Sequence, residues 1–478
     1  MEFVKRFLLL GVLCFLLMES YSQHSNTLYH LKGIVPQSYL MNPALQPECG
    51  VHVGMPGLAP VDVRMGIPFS LDDVMYYDAE LDSTITFLHP NANKDVFMSK
   101  IRKNNYLHAE MSTGIASWGF RIEDMYFSFD IRQKGYFNAN LPGDFLEFML
   151  ELNEDGEEFN FSNFDFSTRV YNEYSMSASK KFFNNLTLGI RGKLLFGIAD
   201  ISLKNSQINL HTDKDLWTVN TDFTLNANMP FVDIPLNDDG NYAMDSIEFD
   251  DNLAVADVIG PGLFSNFGMG MDFGITYEPV ERLHLSASIV DLGFISWKNN
   301  TYNISQNAAF EFDGVSIDSI GSEQFSEYLV DSLKNNFELF ESRDAYHTFI
   351  PTKVYLGGEF MVNPAFGIGF LSMSEIYHKN IRQEFTLSTN FNPGKVLSFS
   401  LSYSFLNYSF NNLGFGLSSA LGPLNMYLVL DNLPIMLARE VNNNIIVPHK
   451  TKNANIKVGL NFVFGCNREK RLMKDKPM

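Results

Sequence analysis

Several stretches of this chain alternate strictly between apolar and small or polar side chains, the period-two signature of β-strands with two unlike faces. Leu397, Phe399, Leu401, Tyr403 and Phe405 alternate with Ser398, Ser400, Ser402 and Ser404. Near the end, Ile456, Val458, Leu460, Phe462 and Phe464 alternate with Lys457, Gly459, Asn461 and Val463. Phe127, Phe129 and Ile131 interleave with Tyr126, Ser128 and Asp130, and Arg191 and Lys193 share the face opposite Ile190 and Leu194. A soluble sandwich alternates too, with its apolar face inward. Here the polar partners are often serine and glycine, which suits a crowded barrel lumen better than an open solvent face.

The connections sharpen that reading. Short turns are expected at Glu123–Asp124, Phe183–Asn185, Pro279–Arg282, Asn363–Ala365, Pro393–Lys395 and Gly422–Pro423. Between them lie tight reversals or long polar excursions near 70–107, 139–166, 204–264, 299–349 and 432–454. Short turns on one side and long loops on the other is the asymmetry of outer-membrane barrels, with the short side periplasmic. Strands are expected at Val51–Phe69 and near 108–121, 125–138, 167–181, 186–203, 265–278, 284–298, 350–362, 366–378, 381–391, 397–408, 412–420, 424–431 and 455–464. That makes about 14 strands, an even number that returns both ends to one rim. Pro56 and Pro60 sit badly in the first strand, since proline removes ladder hydrogen bonds. The fold class predicted is all-β: a transmembrane antiparallel β-barrel.

Two loops carry patterns of their own. Residues 204–228 alternate like a hairpin continuing beyond the barrel, with Ile208 and Leu210 followed by Trp217 and Val219. Phe325, Leu329, Leu333, Phe337 and Phe340 recur at helical spacing and predict an amphipathic helix over 322–341, with another over Phe145–Leu152. Such helices cap the barrel mouth or line a ligand entrance.

The first residues point to export. Lys5 and Arg6 precede the apolar run Phe7–Met18, and Ser20-Tyr21-Ser22 offers small residues at a cleavage spacing. Residues 1–22 read as a signal peptide, 23–50 as an N-terminal periplasmic or plug segment, 51–465 as the barrel and 466–478 as a basic periplasmic tail. No later stretch has the ~20 consecutive apolar residues of a membrane-spanning helix, so a membrane location requires a closed barrel. The 43 phenylalanines and 20 tyrosines fit interfacial girdles. The formal net charge of -20 argues against a nucleic-acid partner.

Chemistry is scarce. No phosphate-binding glycine loop with its lysine, no H-E-x-x-H and no G-x-S-x-G elbow is present, so no catalytic or cofactor-binding residue is assigned. Gly268, Gly270 and Gly274 fall within a strand, where glycine relieves crowding or permits a bend. The loop 229–264 holds Asp233, Asp238, Asp239, Asp245, Glu248, Asp250, Asp251 and Asp257 with no lysine or arginine. Asn237-Asp238-Asp239-Gly240-Asn241 has oxygen ligands suited to calcium but lacks the full EF-hand pattern, and a solvated acidic loop is the default. Arg191 and Lys193 are candidate lumen charges, for an anion or, more simply, for lumen acids. Cys49 precedes the first strand and Cys466 follows the last, so barrel closure would bring them to one rim. They read as one seam-stapling disulfide or as two thiols.

Two motifs resemble known barrels. Met41-Asn42-Pro43-Ala44-Leu45 resembles the Asn-Pro-Ala element near the mature N-terminus of the long-chain fatty-acid transporter superfamily. Val290-Asp291-Leu292-Gly293-Phe294-Ile295-Ser296-Trp297 resembles a strand of the Bacteroidota branch that includes type IX secretion barrels. The whole layout resembles an uncharacterised Bacteroidota outer-membrane barrel family. The resemblance implies fourteen strands and an N-terminal segment plugging the lumen, and transfers no ligand site. Three functions compete: passage or binding of a small, hydrophobic molecule; a protein-interaction barrel for secretion or surface assembly; and a secreted β-rich adhesin. An apolar tunnel or lateral opening would favour the first, a lumen packed with polar side chains the second. Outer-membrane lipid is the expected surrounding partner.

Overall fold

A computed structural model describes residues 26–466, apart from 32–33, 151–155, 214–216, 230–231, 234–247, 250–265, 313–339, 440–445 and single or paired positions elsewhere. Its centre is a closed antiparallel barrel of 14 strands. We number them β1 (Val51–Gly54 and Val61–Gly66), β2 (Asn104–Ile122), β3 (Met125–Pro142), β4 (Asp165–Phe182), β5 (Leu186–Thr212), β6 (Asn266–Val280) and β7 (Leu283–Trp297). Then follow β8 (Thr352–Asn363), β9 (Phe366–Tyr377), β10 (Asn380–Phe391), β11 (Leu397–Leu406), β12 (Ser409–Leu421), β13 (Leu424–Pro434) and β14 (Asn453–Phe464). Closure is made by β14, which pairs with β13 and with both pieces of β1. No helix among the described residues is long and apolar enough to cross a membrane.

Which face is inside decides the architecture. On β11, Ser398, Ser400, Ser402 and Ser404 are at most 5% exposed, while Leu397 and Leu401 are 46% and 52% exposed. The same inversion holds on β6, where Asp272 is wholly buried between exposed Met271 and Phe273. A soluble sandwich would bury the leucines and wet the serines. The apolar faces instead form an outer belt.

The first strand departs from expectation. It ends at Gly66 rather than Phe69 and is broken between Gly54 and Val61, where the prolines fall. Residues 55–60 step out of register, with Met55 and Leu58 exposed on the outer wall and Ala59 buried. Main-chain bonds from Gly57 to Gly114, Gly114 to Pro60 and Leu460 to Leu58 seal the step. A side chain at Gly114 could not fit, because its Cβ would lie 2.0 Å from the Ala59 oxygen.

At the opposite rim β5 runs on beyond the barrel wall. Its first part pairs with β6, and its last part pairs with a hairpin arm, Trp217–Asn228, which continues to Thr301–Phe312. The hairpin expected over 204–228 is therefore present. The expected helix over Phe145–Leu152 forms at Gly143–Leu150. Phe145 and Phe148 pack edge-on against Phe161, Phe164, Phe159 and Trp217 at that rim. Of the helix expected over 322–341, residues 322–339 lie outside the described residues, and Phe340 and Glu341 belong instead to a short strand, Phe340–Ser342, paired with Asn303–Ser305. The basic tail beyond Cys466 and residues 1–25 also lie outside the described residues. So does the acidic loop, apart from the strand pair Val232–Asp233 and Glu248–Phe249.

Candidate functional site

The residues that could do anything specific converge in the lumen. The N-terminal segment from Asn26 to Cys49 runs inside the barrel, with a short helix at Thr27–His30 and a 3-10 turn at Pro36–Leu40. Leu28, Tyr29, Val35, Ser38 and Asn42 have no exposed surface. The Thr27 backbone N–H and hydroxyl both donate to Asp431, and Asn26 Nδ2 donates to Thr386 Oγ1 at 3.1 Å. Gln37 and Asn461 exchange two side-chain hydrogen bonds. Buried polar groups require such partners, and here the wall supplies them strand by strand.

The Asn-Pro-Ala element forms the lower anchor. Asn42 Oδ1 accepts from the Ala44 N–H at 2.9 Å, closing a local turn, and its Nδ2 donates to the carbonyls of Ile275 and Ala287 on β6 and β7. The wall makes room with glycine. A Cβ on Gly274 would sit 2.0 Å from Asn42 Oδ1, and one on Gly189 would sit 2.3 Å from the Pro43 carbonyl carbon.

Above this anchor the wall is charged. Arg191, 0% exposed, holds Asp272 at 2.8 Å and donates to the Tyr39 carbonyl at 2.6 Å. Lys193 Nζ lies 2.7 Å from Asp272 and 2.5 Å from Asp291. Asp291 also meets Lys134 at 3.2 Å and Lys353 at 3.9 Å. Lys134 continues to Glu173, which pairs with Arg132, and Lys353 continues to Glu110, Arg64, Asp62 and Lys457. The two lumen charges named from sequence thus lie in a wall-to-wall ion-pair network. They face acids and a backbone carbonyl rather than an open anion site.

Asp291 is its hub, and the backbone explains how. Its φ is +61°, and the β6–β7 register shifts there, so the side chain turns inward beside Asp272, whose Oδ1 accepts the Asp291 N–H at 2.7 Å. A non-glycine residue with positive φ is uncommon, and asparagine and aspartate tolerate it best. The acids of this network were not singled out from sequence. Asp272 between Met271 and Phe273 was the available signal: a charge at an alternating position of an otherwise greasy strand.

Parts of the wall are not polar. Val290, Tyr355, Leu371 and Met373 on β7–β9 and Tyr427 and Val429 on β13 form apolar stretches that Leu28, Leu31 and Val35 of the N-terminal segment join into one buried cluster, and Tyr136, Tyr171, Leu195, Ile295 and Trp297 form a second. At the rim of the first and last strands, the sulfurs of Cys49 and Cys466 lie 2.04 Å apart, at bonding distance. Among the described residues no cluster of histidine, cysteine and carboxylates could hold a metal. A shallow cleft of about 230 Å³ lies outside the lumen, between Asp72, Asp73, Asn93, Val96, Phe97 and Lys100.

A family model described as "Family of unknown function (DUF5723)" matches residues 43–431. The chain belongs to this family. The matched span starts at the Pro43 of the lower anchor and ends at Asp431, the acid that receives Thr27, so most of the lumen wall of this DUF5723 member lies within it. No curated protein matches the sequence. Among solved structures, the Ralstonia pickettii toluene transporter TbuX is similar at 10% identity, covering 94% of this chain and 100% of that one with a TM-score of 0.41. The Pseudomonas putida toluene transporter TodX is 10% identical, covering 90% of this chain and 94% of that one with a TM-score of 0.38. A Pseudomonas aeruginosa FadL homologue is 11% identical, covering 94% of this chain and 100% of that one with a TM-score of 0.37.

Proposed function

We propose that this protein is an outer-membrane barrel that binds or passes a small apolar molecule through a lumen gated by its own N-terminal segment. The observation that carries this is the apolar surface beneath the segment. Among inward positions that include many serines, asparagines and ions, Val290, Tyr355, Leu371 and Met373 on β7–β9 and Tyr427 and Val429 on β13 offer apolar surface that Leu28 and Leu31 bridge, and a separate apolar cluster gathers Tyr136, Tyr171, Leu195, Ile295 and Trp297. An apolar guest would bury the same area once the segment withdrew. The exposed apolar belt supports the membrane location, since only a closed barrel satisfies its backbone there. In this reading the short-turn rim is periplasmic. Residues 1–22 are a cleaved leader, 23–50 the plug, 51–465 the barrel and 466–478 a periplasmic tail. Cys49–Cys466 is a seam disulfide. The reaction is passage, without catalysis or cofactor.

The test is a tether. Thr27 Oγ1 and Ser402 Oγ are 2.6 Å apart, so Thr27→Cys with Ser402→Cys should crosslink the plug to the wall. Entry of a fluorescent apolar dye into barrel-containing liposomes is then compared before and after reduction, against the wild type treated alike, because reduction also opens Cys49–Cys466. Reduction-dependent entry supports the gate. Equal entry in both states, or none in either, removes it. A second reading, a protein-interaction barrel for secretion or surface assembly, is favoured by the packed ion-pair network and the arm rising from β5. Native mass spectrometry of gently extracted protein distinguishes the two: a lipid-sized or smaller adduct for the first, a stable protein complex with an empty barrel for the second.

A further inference from the structure

The outer belt has a polar flaw. On β3 the inward positions are Arg132 and Lys134, so Gln133 between them points outward, and its cross-strand partners Thr113 and Asn172 point outward with it. Below this row the outward residues of β3 are Ile131, Phe129 and Phe127, and above it stands Phe137, packed edge-on against Phe166 at 5.4 Å. Gln133 Nε2 and Asn172 Oδ1 have no hydrogen-bond partner, although Asn172 is 1% exposed. Two amides opposite each other on a lipid-facing wall, each with an unpartnered polar atom, are costly where water is absent.

The wall around them is also underfilled. Gly135, next outward on β3, would place a Cβ near nothing closer than the Val170 Cγ2 at 3.8 Å, and a Cβ on Gly192 would meet nothing within 4 Å. Gly192 is paired with Met176, on the tail side of Asn172 along the same outward row of β4. Gly135 thus leaves the wall open directly beside the amides, and Gly192 leaves it open two outward rows farther down, beyond Tyr174 and Leu194. From the turn at 123–124 to Gln133 a tilted strand climbs roughly 20–25 Å, close to the full height of an apolar belt of about 25 Å. The Phe137–Phe166 pair beyond it marks the aromatic girdle. Gln133 and Asn172 thus lie at the depth where the far leaflet's acyl chains join their headgroups.

We propose that Gln133 and Asn172 form a lipid site that recognises an amide-linked acyl chain of the far leaflet. Such a linkage offers a carbonyl to Gln133 Nε2 and an N–H to Asn172 Oδ1, whereas an ester offers only acceptors and leaves Asn172 unpaired. Gln133 is partly buried and its Nε2 is enclosed, as Asn172 is, so the lipid would be met by an outward rotation of the Gln133 stem, which its staggered rotamers allow. The acyl chain then runs down the wall past Tyr174 and Leu194 to the open position at Gly192. The site rests on the membrane location, not on the gating role.

The experiment refolds the chain in micelles containing equal amounts of an N-acylated glucosamine lipid and a phosphatidylethanolamine of the same chain length. Native mass spectrometry counts the lipids retained, and gel mobility without boiling reports the folded barrel. The wild type should retain the N-acyl lipid about tenfold over the diester, the worth of one additional hydrogen bond. Gln133→Leu with Asn172→Leu should fold and lose that preference. Gly135→Leu with Gly192→Leu, which keeps the amides and fills the open positions above and below them, should lose it too. A folded wild-type barrel with no preference, or a preference unchanged in both variants, overturns the site alone. A chain that never inserts overturns the membrane location and the site with it.

Discussion

The Arg191 guanidinium bridges wall and plug: one nitrogen holds Asp272 at 2.8 Å while another donates to the Tyr39 carbonyl at 2.6 Å. Removing one member of a buried pair leaves its partner uncompensated, which typically costs about 3–5 kcal/mol. Lys193 still reaches Asp272 at 2.7 Å, so the loss for Arg191→Met is expected nearer about 2–3 kcal/mol. Urea unfolding in detergent, followed by gel mobility, measures it. An unchanged midpoint would mean that the bridge contributes nothing.

Asp291 should show two separable effects. Asp291→Asn keeps a side chain tolerant of the left-handed backbone but removes the charge that gathers Lys134, Lys193 and Lys353. Asp291→Ala removes both. Stability should fall from wild type to Asn to Ala, with the second step about 1 kcal/mol. Equal unfolding midpoints for the two variants would show that the conformation at this position carries no cost.

Gly274→Val tests the lower anchor. The first added carbon would overlap Asn42 Oδ1 and crowd Pro43 Cδ, 2.9 Å away, so the plug must lift while β6 keeps its pairing. We expect a folded barrel whose residues 26–45 become cleavable by proteinase K, and which admits the apolar dye. Protection equal to that of the wild type would sink this prediction.

Non-reducing peptide mapping should recover Cys49 and Cys466 in one linked pair. Cys466→Ser should then lower stability by roughly 2–4 kcal/mol, as loss of a cross-link closing a long loop does. Two separately alkylated thiols would dispose of the seam staple.

Much of the barrel is legible as alternation. The expected 397–408 appears as Leu397–Leu406 and 366–378 as Phe366–Tyr377. Prolines 56 and 60 announced trouble in the first strand, but its outward step depends on Gly114 in a neighbouring strand far along the chain. The ion-pair network was harder to see. Arg191 and Lys193 reveal their face by spacing, yet their partners Asp272 and Asp291 come from other strands, and Asp291 reaches the lumen only through a register shift.

By itself the sequence determined the strands and the unlike character of their two faces, because side-chain alternation is a local property of the extended backbone. It also placed Cys49 and Cys466 at the two ends of the strand series. Only the tertiary structure decided which face lies inside, because alternation is the same in a sandwich and in a barrel until the sheet closes on itself. The route of residues 26–49 was likewise undecided. That segment has no period to read, and its partners are side chains presented by the finished wall.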